Sequence, residues 1–295
     1  MEQNPLVEIG LPVALFVIMV GIGLTLTTAD FRREARTPKG AIVGSAAQLL
    51  VMPAVGFAIA ALLGLPPALA VGLVIVAACP GGTSSNLVSF LARANVALSI
   101  VLTVVASVVT IVTLPMFANL ALRWWPLGED VAVSVPLGRT IGLLVGIVLV
   151  PVVVGMAVRR RAPQRAAAME RGVSAFGAFI LVALIVGIAI SLRDEFFGLL
   201  ADAGPAAVLL NLVGLGVGWG AARLAGLRAA DGLTIAVELG IKNSTLGILI
   251  AVTVLGSEAI AVPAAVYGLL MYLSAAVVVI VGRRLAGMRV EPAVS

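Results

Sequence analysis

The chain has 295 residues, 61% of them hydrophobic and 11% charged, with a net charge of +5, one cysteine and no histidine. A soluble domain carries roughly 25% charged residues, so water is excluded as the main solvent. The missing histidine removes His-based zinc sites, general bases and proton relays, and the lone Cys79 removes any intramolecular disulfide.

A bilayer core of about 30 Å needs roughly 20 apolar residues per helix, and runs of that length recur along the whole chain. They lack the two-residue alternation of barrel strands, and lipid admits only helices or closed barrels. The expected fold is therefore an all-α polytopic membrane protein, a single transmembrane domain with no soluble one. Met1 to Glu8 has no basic n-region, so no cleaved signal peptide is expected. Spans are predicted, nine in all, at 8–28, 40–63, 68–92, 95–122, 136–158, 172–192, 204–225, 231–254 and 260–283.

With these spans the connections alternate between two sides. Arg32, Arg33, Arg36, Lys39, Arg93, Arg159, Arg160, Arg161, Arg165, Arg171, Arg223, Arg228, Arg283, Arg284 and Arg289 fall on one side, and only Arg123, Arg139 and Arg193 on the other. Cytoplasmic loops carry the Lys/Arg excess, which predicts an outside N-terminus and a cytoplasmic C-terminus. The basic charge is thus a topology signal with membrane lipid as its partner, and a nucleic-acid partner is not expected. The preference for arginine over lysine suggests a bacterial source, hence the inner (plasma) membrane.

Two spans are interrupted. The third reads Cys79-Pro80-Gly81-Gly82-Thr83-Ser84-Ser85-Asn86. Proline lacks the backbone donor and the glycines disfavour helix, so the helix should unwind and restart with Thr83, Ser84 or Ser85 as cap. Its free N–H groups and positive dipole end would suit an anion at mid-membrane. The eighth span holds Glu238, Lys242 and Asn243. A charge at that depth costs about 3 kcal/mol, so such residues are functional or paired, and a simple Glu238–Lys242 pair on one helical face is the structural alternative. Gln48 in the second span, and Ser99 and Thr103 one turn apart in the fourth, add oxygens that suit a hard monovalent cation, although each alone suits helix packing. Breaks at matched places in two halves predict inverted repeats, 6–125 and 133–285, with the site at the midplane.

At these residues the chain resembles the bile acid:sodium symporter family. The similarity runs through Gly21 to Leu26, Gln48 with Met52-Pro53, Cys79 to Asn86, Leu91 to Ser99, and Glu238-Leu239-Gly240. The resemblance implies a core domain of spans two, three, four, seven, eight and nine, in which the broken helices cross, and a panel of spans one, five and six. It implies a first sodium site at Ser85, Asn86, Ser99, Thr103 and Glu238. It implies a second at Gln48, Glu238 and backbone carbonyls near Leu239 and Ile241, where the family has a glutamine in place of Lys242. An ammonium has three donors and no acceptor and cannot ligate sodium. The expectation is that the Lys242 ammonium replaces one sodium, offering its charge to Glu238 and Gln48, unless it bends away to a polar cavity.

The implied function is a secondary transporter of a small organic anion by alternating access, with Thr83, Ser84 and Asn243 binding the substrate. Lysine, unlike arginine, can release a proton when buried, so a proton-coupled or uniport carrier is the alternative. No cofactor is expected beyond one sodium ion or a proton, and no transition metal. A small carboxylate is favoured over a steroid, on the reading that Tyr272 and Leu273 replace polar side chains of some relatives. A monomer is expected. The enzyme alternative is an intramembrane Ser–Lys hydrolase using Ser84 or Ser85 with Lys242; a sensor and a channel are the others.

Overall fold

A computed structural model of the chain describes residues 10–27, 32, 34, 36–128, 134–191, 193 and 196–287. The Met1–Glu8 stretch, Arg33, Arg289 and the repeat boundaries at 6 and 133 lie outside the described residues. The chain forms α1 (Leu11–Thr25), α2 (Lys39–Leu62), α3 (Pro67–Ala78), α4 (Thr83–Leu91), α5 (Val96–Trp124) and α6 (Leu137–Arg161). It continues with α7 (Pro163–Ser191), α8 (Phe196–Leu224), α9 (Ala229–Gly240), α10 (Ser244–Val254) and α11 (Glu258–Gly287). Among the described residues α2, α5, α6, α8 and α11 are each long and apolar enough to cross a bilayer. The predicted third and eighth spans are the interrupted pairs α3/α4 and α9/α10.

Two helices widen before a proline. In α2 a π turn at Ala47–Val51 precedes Pro53, and in α6 one at Val145–Leu149 precedes Pro151. A proline ring clashes with the carbonyl four residues back and donates no hydrogen bond, and a wider turn makes room without ending the helix. In α2 the widened turn carries Gln48, buried to 1% exposure.

The helices pack in two groups. α1, α6 and α7 pack on one another, while α2, α3, α4, α5, α8, α9, α10 and α11 form the larger group, which holds both interrupted helices. The groups meet mainly where α7 lies on α11 and α6 on α5. Within the smaller group α1 and α6 approach backbone to backbone. A Cβ on Gly23 would strike the Val152 carbonyl, and one on Gly155 the Val20 carbonyl. In lipid, where no hydrophobic effect drives helices together, such small-residue contacts carry the association.

Gly23→Leu or Gly155→Leu should therefore lower the melting temperature in detergent by several degrees. Gly142→Ala, whose added carbon meets nothing within 4 Å, should leave it unchanged or raise it slightly. The buried Cys79, at 0% exposure, reports unfolding through a thiol-reactive dye.

Candidate functional site

The two interruptions cross. Cys79, preceding Pro80, is extended (φ −63°, ψ 146°), as a residue before proline must be, and α3 stops there. Past the break, Gly81 pairs with Lys242 in an isolated antiparallel bridge, and the Asn243 N–H donates to the Pro80 carbonyl at 2.8 Å. Gly81 is required by the contact: a Cβ there would run into the Glu238 carboxylate.

Around that carboxylate the fold gathers all five residues expected at the first sodium site. Ser85 Oγ and Thr103 Oγ1 each lie 2.7 Å from a Glu238 oxygen, and Ser99 Oγ lies at 3.4 Å. Ser99 Oγ and Thr103 Oγ1 reach Asn86 Oδ1 at 2.9 and 3.4 Å. Glu238, Ser85, Ser99 and Thr103 are 0% exposed. Hydrogen bonds to a charged group contribute about 1.5–3 kcal/mol each, which offsets the roughly 3 kcal/mol of burying a carboxylate in the membrane. The cluster is nonetheless short of hydroxyl protons, although Asn86 Nδ2 is a buried donor with no partner among the described residues. Ser85 Oγ also lies 2.7 Å from the Gly82 carbonyl, and Thr103 Oγ1 lies 3.0 Å from the Ser99 carbonyl, yet a hydroxyl has one proton to donate. Three hydroxyl protons face five acceptors: two carboxylate oxygens, one amide oxygen and two carbonyls. A site so rich in oxygen fits a small cation or an added proton.

Lys242 does not lie on a helical face with Glu238, because α9 ends at Gly240. The alternative of a simple Glu238–Lys242 pair on one helical face is thereby corrected. Lys242 Nζ instead donates to the Ala77 and Cys79 carbonyls at 3.1 and 3.3 Å, at the C-terminal end of α3. It meets Gln48 at a shared acceptor, since Gln48 Nε2 donates to the Cys79 carbonyl at 2.7 Å. Gln48 Oε1 has no partner among the described residues. A helix C-terminus leaves carbonyls unpaired and carries negative dipole charge, so a cation is favoured there. The matching end of α9 is held differently: Asn211 Nδ2 and Tyr267 Oη donate to the Gly240 carbonyl at 2.7 and 2.8 Å. These two neutral donors were not singled out in the sequence, although each is a polar group in an apolar span.

The restarting half-helices also differ from expectation. No side chain caps α4, whose N-cap is Gly82; Ser85, expected as a cap, turns inward to Glu238. α10 is capped by Asn243, whose Oδ1 accepts from the Leu246 N–H at 3.1 Å. Asn243 Nδ2 and Ser244 Oγ are buried without partners among the described residues. Both residues line a cavity of about 30 Å³ with Thr83, Ser84, Ile18 of α1 and Leu181 of α7. Tyr272 lines it too, its hydroxyl 3.2 Å from Ser84 Oγ. The last helix therefore does present a polar group here, which corrects the reading of Tyr272, while Leu273 is 69% exposed and away from the cavity.

A second polar cluster ties α5 to α9 at the end bearing Lys39 and Arg228. Asn95 caps α5 through the Leu98 N–H and donates to Asp231 Oδ1 at 2.8 Å. Its backbone N–H donates to Thr234 Oγ1 at 2.8 Å. Arg228 completes the cluster on Asp231 Oδ2 at 3.0 Å, and this hydrogen bond, followed by the carboxylate charge, raises the guanidinium pKa above its ordinary value. The cluster borders a cavity of about 730 Å³.

The profile of the Sodium Bile acid symporter family matches residues 12–198. The chain belongs to this family. It is 33% identical over 284 residues to the probable sodium/metabolite cotransporter BASS1, chloroplastic, of Arabidopsis thaliana, an alignment covering 95% of this chain and 68% of the relative. It is 32% identical over 256 residues to the uncharacterized sodium-dependent transporter YocS of Bacillus subtilis (strain 168), covering 86% and 76%. It is 27% identical over 236 residues to the ileal sodium/bile acid cotransporter of Cricetulus griseus, covering 80% and 67%. A symporter family, and not an enzyme family, accounts for the residues. The chain is a multi-pass membrane protein and a secondary transporter. The geometry agrees, since Ser84 and Ser85 face Tyr272 and Glu238, and neither hydroxyl is paired with Lys242.

Gly81→Ala should force the Glu238 carboxylate off its hydroxyls and destabilise the protein by about 1–3 kcal/mol, lowering the melting temperature. Asn95→Ala removes a cap and the Asp231 contact and should cost about 1–2 kcal/mol, again read as a melting shift. Arg284→Gln, an exposed position near the end of α11, is the control, with no shift expected.

Proposed function

We propose that the protein carries a small organic anion by alternating access, with one coupling cation held at Glu238 and the Lys242 ammonium standing where a second would bind. The supporting observation is the pairing at the crossing: a carboxylate among more acceptors than protons, beside helix-end carbonyls already held by Lys242. Discontinuous helices whose ends face substrate and ion suit this mode of transport. The names of the relatives, sodium/metabolite and sodium/bile acid cotransporters, favour sodium as the cation. A proton is the second reading, favoured by the same proton deficit and by a lysine that can release one.

The anion would sit at the uncapped start of α4, where Thr83 and Ser84 meet the spare Asn243 Nδ2 and the Tyr272 hydroxyl. A cavity of about 30 Å³ holds about one water, so entry of a carboxylate requires α1 and α7 to move off the crossing. We assign these helices, with α6, to the panel and the larger group to the core. We place the Lys39 and Arg228 end in the cytoplasm from the basic bias, with the protein in a bacterial inner membrane as a monomer.

Uptake into proteoliposomes tests this reading. An inward sodium gradient should speed uptake of small monocarboxylates, and Glu238→Gln should abolish the acceleration. Uptake driven by a pH gradient with no sodium dependence would transfer the cation role to a proton. Preference for taurocholate over every small carboxylate tested would contradict the substrate class.

A further inference from the structure

On the far half of α5 from Glu238, a groove of about 350 Å³ opens in the outer surface of the helices. Thr113, Met116, Phe117, Leu120 and Arg123 of α5 form one wall and Leu137 of α6 the other. The α5 positions recur at three and four residues, so they share one helical face. Met116 and Leu120 are 55% and 44% exposed, and in a membrane that exposure is to acyl chains. Asn119 fixes the second wall: its amide pairs with Val135 in both directions, at 2.9 and 2.7 Å, and so holds the chain entering α6 against α5.

The dimensions match one lipid leaflet. Thr113 and Arg123 are ten residues apart, about 15 Å along a helix, which is half of the roughly 30 Å hydrocarbon core. α5 itself has 29 residues, about 43 Å, so its last turn extends into the headgroup region. Arg123 stands in that turn, followed by Trp124 at 66% exposure, a residue type enriched at the membrane–water interface. Among the described residues Arg123 has no hydrogen-bond or ion-pair partner. An aliphatic slot one leaflet deep, with a guanidinium unpaired among the described residues at its headgroup end, is complementary to an acyl chain bearing a negative headgroup.

We propose that this groove is a binding site for an anionic phospholipid, its acyl chain along Met116, Phe117 and Leu120 and its phosphate on Arg123. A zwitterionic lipid fills the slot equally well but brings a positive headgroup group to the guanidinium. The groove lies where α5 of the larger helix group meets α6 of the smaller, so the lipid occupies the seam between the two groups and is separate from the ion and substrate residues.

Trp124 and Trp125 report on the site. The chain has 3 tryptophans, and Trp219→Phe leaves only this pair. The protein is placed in bilayers containing either phosphatidylglycerol or phosphatidylcholine brominated on the acyl chains, and quenching is titrated against the mole fraction of brominated lipid. A contribution of one basic residue near an anionic surface implies half-quenching at about fivefold less phosphatidylglycerol than phosphatidylcholine. Arg123→Gln should bring the ratio to about one while leaving the quenching itself in place, with folding followed by Cys79 protection. Equal quenching by the two lipids in the parent, or a preference that survives Arg123→Gln, would overturn the proposal. So would loss of the preference on adding soluble glycerol phosphate, which would make the site one for free phosphate.

Discussion

Two helices stop halfway through a region that offers no water to their backbone ends. Each stop leaves carbonyls on one side and N–H groups on the other without helical partners, and in lipid each such group costs several kcal/mol. The crossing at Gly81 and Lys242 answers part of this demand with main-chain contacts. The rest is met by side chains sent from other helices: Gln48 and Lys242 to the end of α3, Asn211 and Tyr267 to the end of α9. Four buried polar side chains of the larger group, Gln48, Lys242, Asn211 and Tyr267, are placed by that requirement. The start of α4 is the end left uncapped, and it faces the cavity.

The two carbonyl ends are treated unequally, and the inequality carries the chemistry. α9 is held by neutral donors. α3 is held by an amide and a lysine whose side chain is 1% exposed. A lysine amine is a donor of adjustable charge, so the α3 end can change its electrostatics without any change in fold. Glu238, one crossing strand away, sits among hydroxyls that supply fewer protons than its surroundings accept. Glu238 and the Lys242 ammonium already balance in charge, so a mobile cation at Glu238 would leave the crossing with one net positive charge, and the state of one cation would alter the cost of the other through charge repulsion at short range.

Much of this was legible in the sequence because the signals are local. Pro80 with Gly81 and Gly82 predicts a break wherever it occurs in a helix, and most predicted spans coincide with the helices to within about four residues, since a long apolar run in lipid has few other solutions; α7 and α8 instead start at Pro163 and Phe196, well before the predicted 172 and 204, because a helix can run on past its apolar stretch. Ser99 and Thr103 were readable from their spacing and Glu238 from its depth, but the grouping of Ser85, Asn86, Ser99 and Thr103 around Glu238 was readable only through the family resemblance. What failed depended on contacts between distant segments. The sequence predicts a break in the eighth span but leaves a Glu238–Lys242 pair on one helical face open as the alternative, because nothing local in Leu239-Gly240-Ile241 fixes where the helix ends. At the end that the structure shows, Gly240 packs against Leu215 and its carbonyl accepts from Asn211 of α8 and Tyr267 of α11. Thr83, Ser84 and Ser85 read as alternative caps for α4, but none of them caps it, and the Ser85 hydroxyl goes to Glu238. Tyr272 read as the loss of a polar contact, yet its hydroxyl reaches Ser84 across 188 positions of chain, which no local pattern reports.

The central claim is that the Lys242 ammonium stands in for a cation beside a working Glu238 site. Its most direct test is the sodium dependence of thermal stability at fixed ionic strength, in the parent protein, Lys242→Gln and Lys242→Gln with Glu238→Gln, because a ligand bound only by the folded state raises apparent stability in proportion to ln(1 + [L]/Kd). The account predicts a sodium-dependent rise in the parent, a larger and steeper rise in Lys242→Gln as a second position opens, and none once Glu238 is also replaced. A response in Lys242→Gln no greater than in the parent would contradict it.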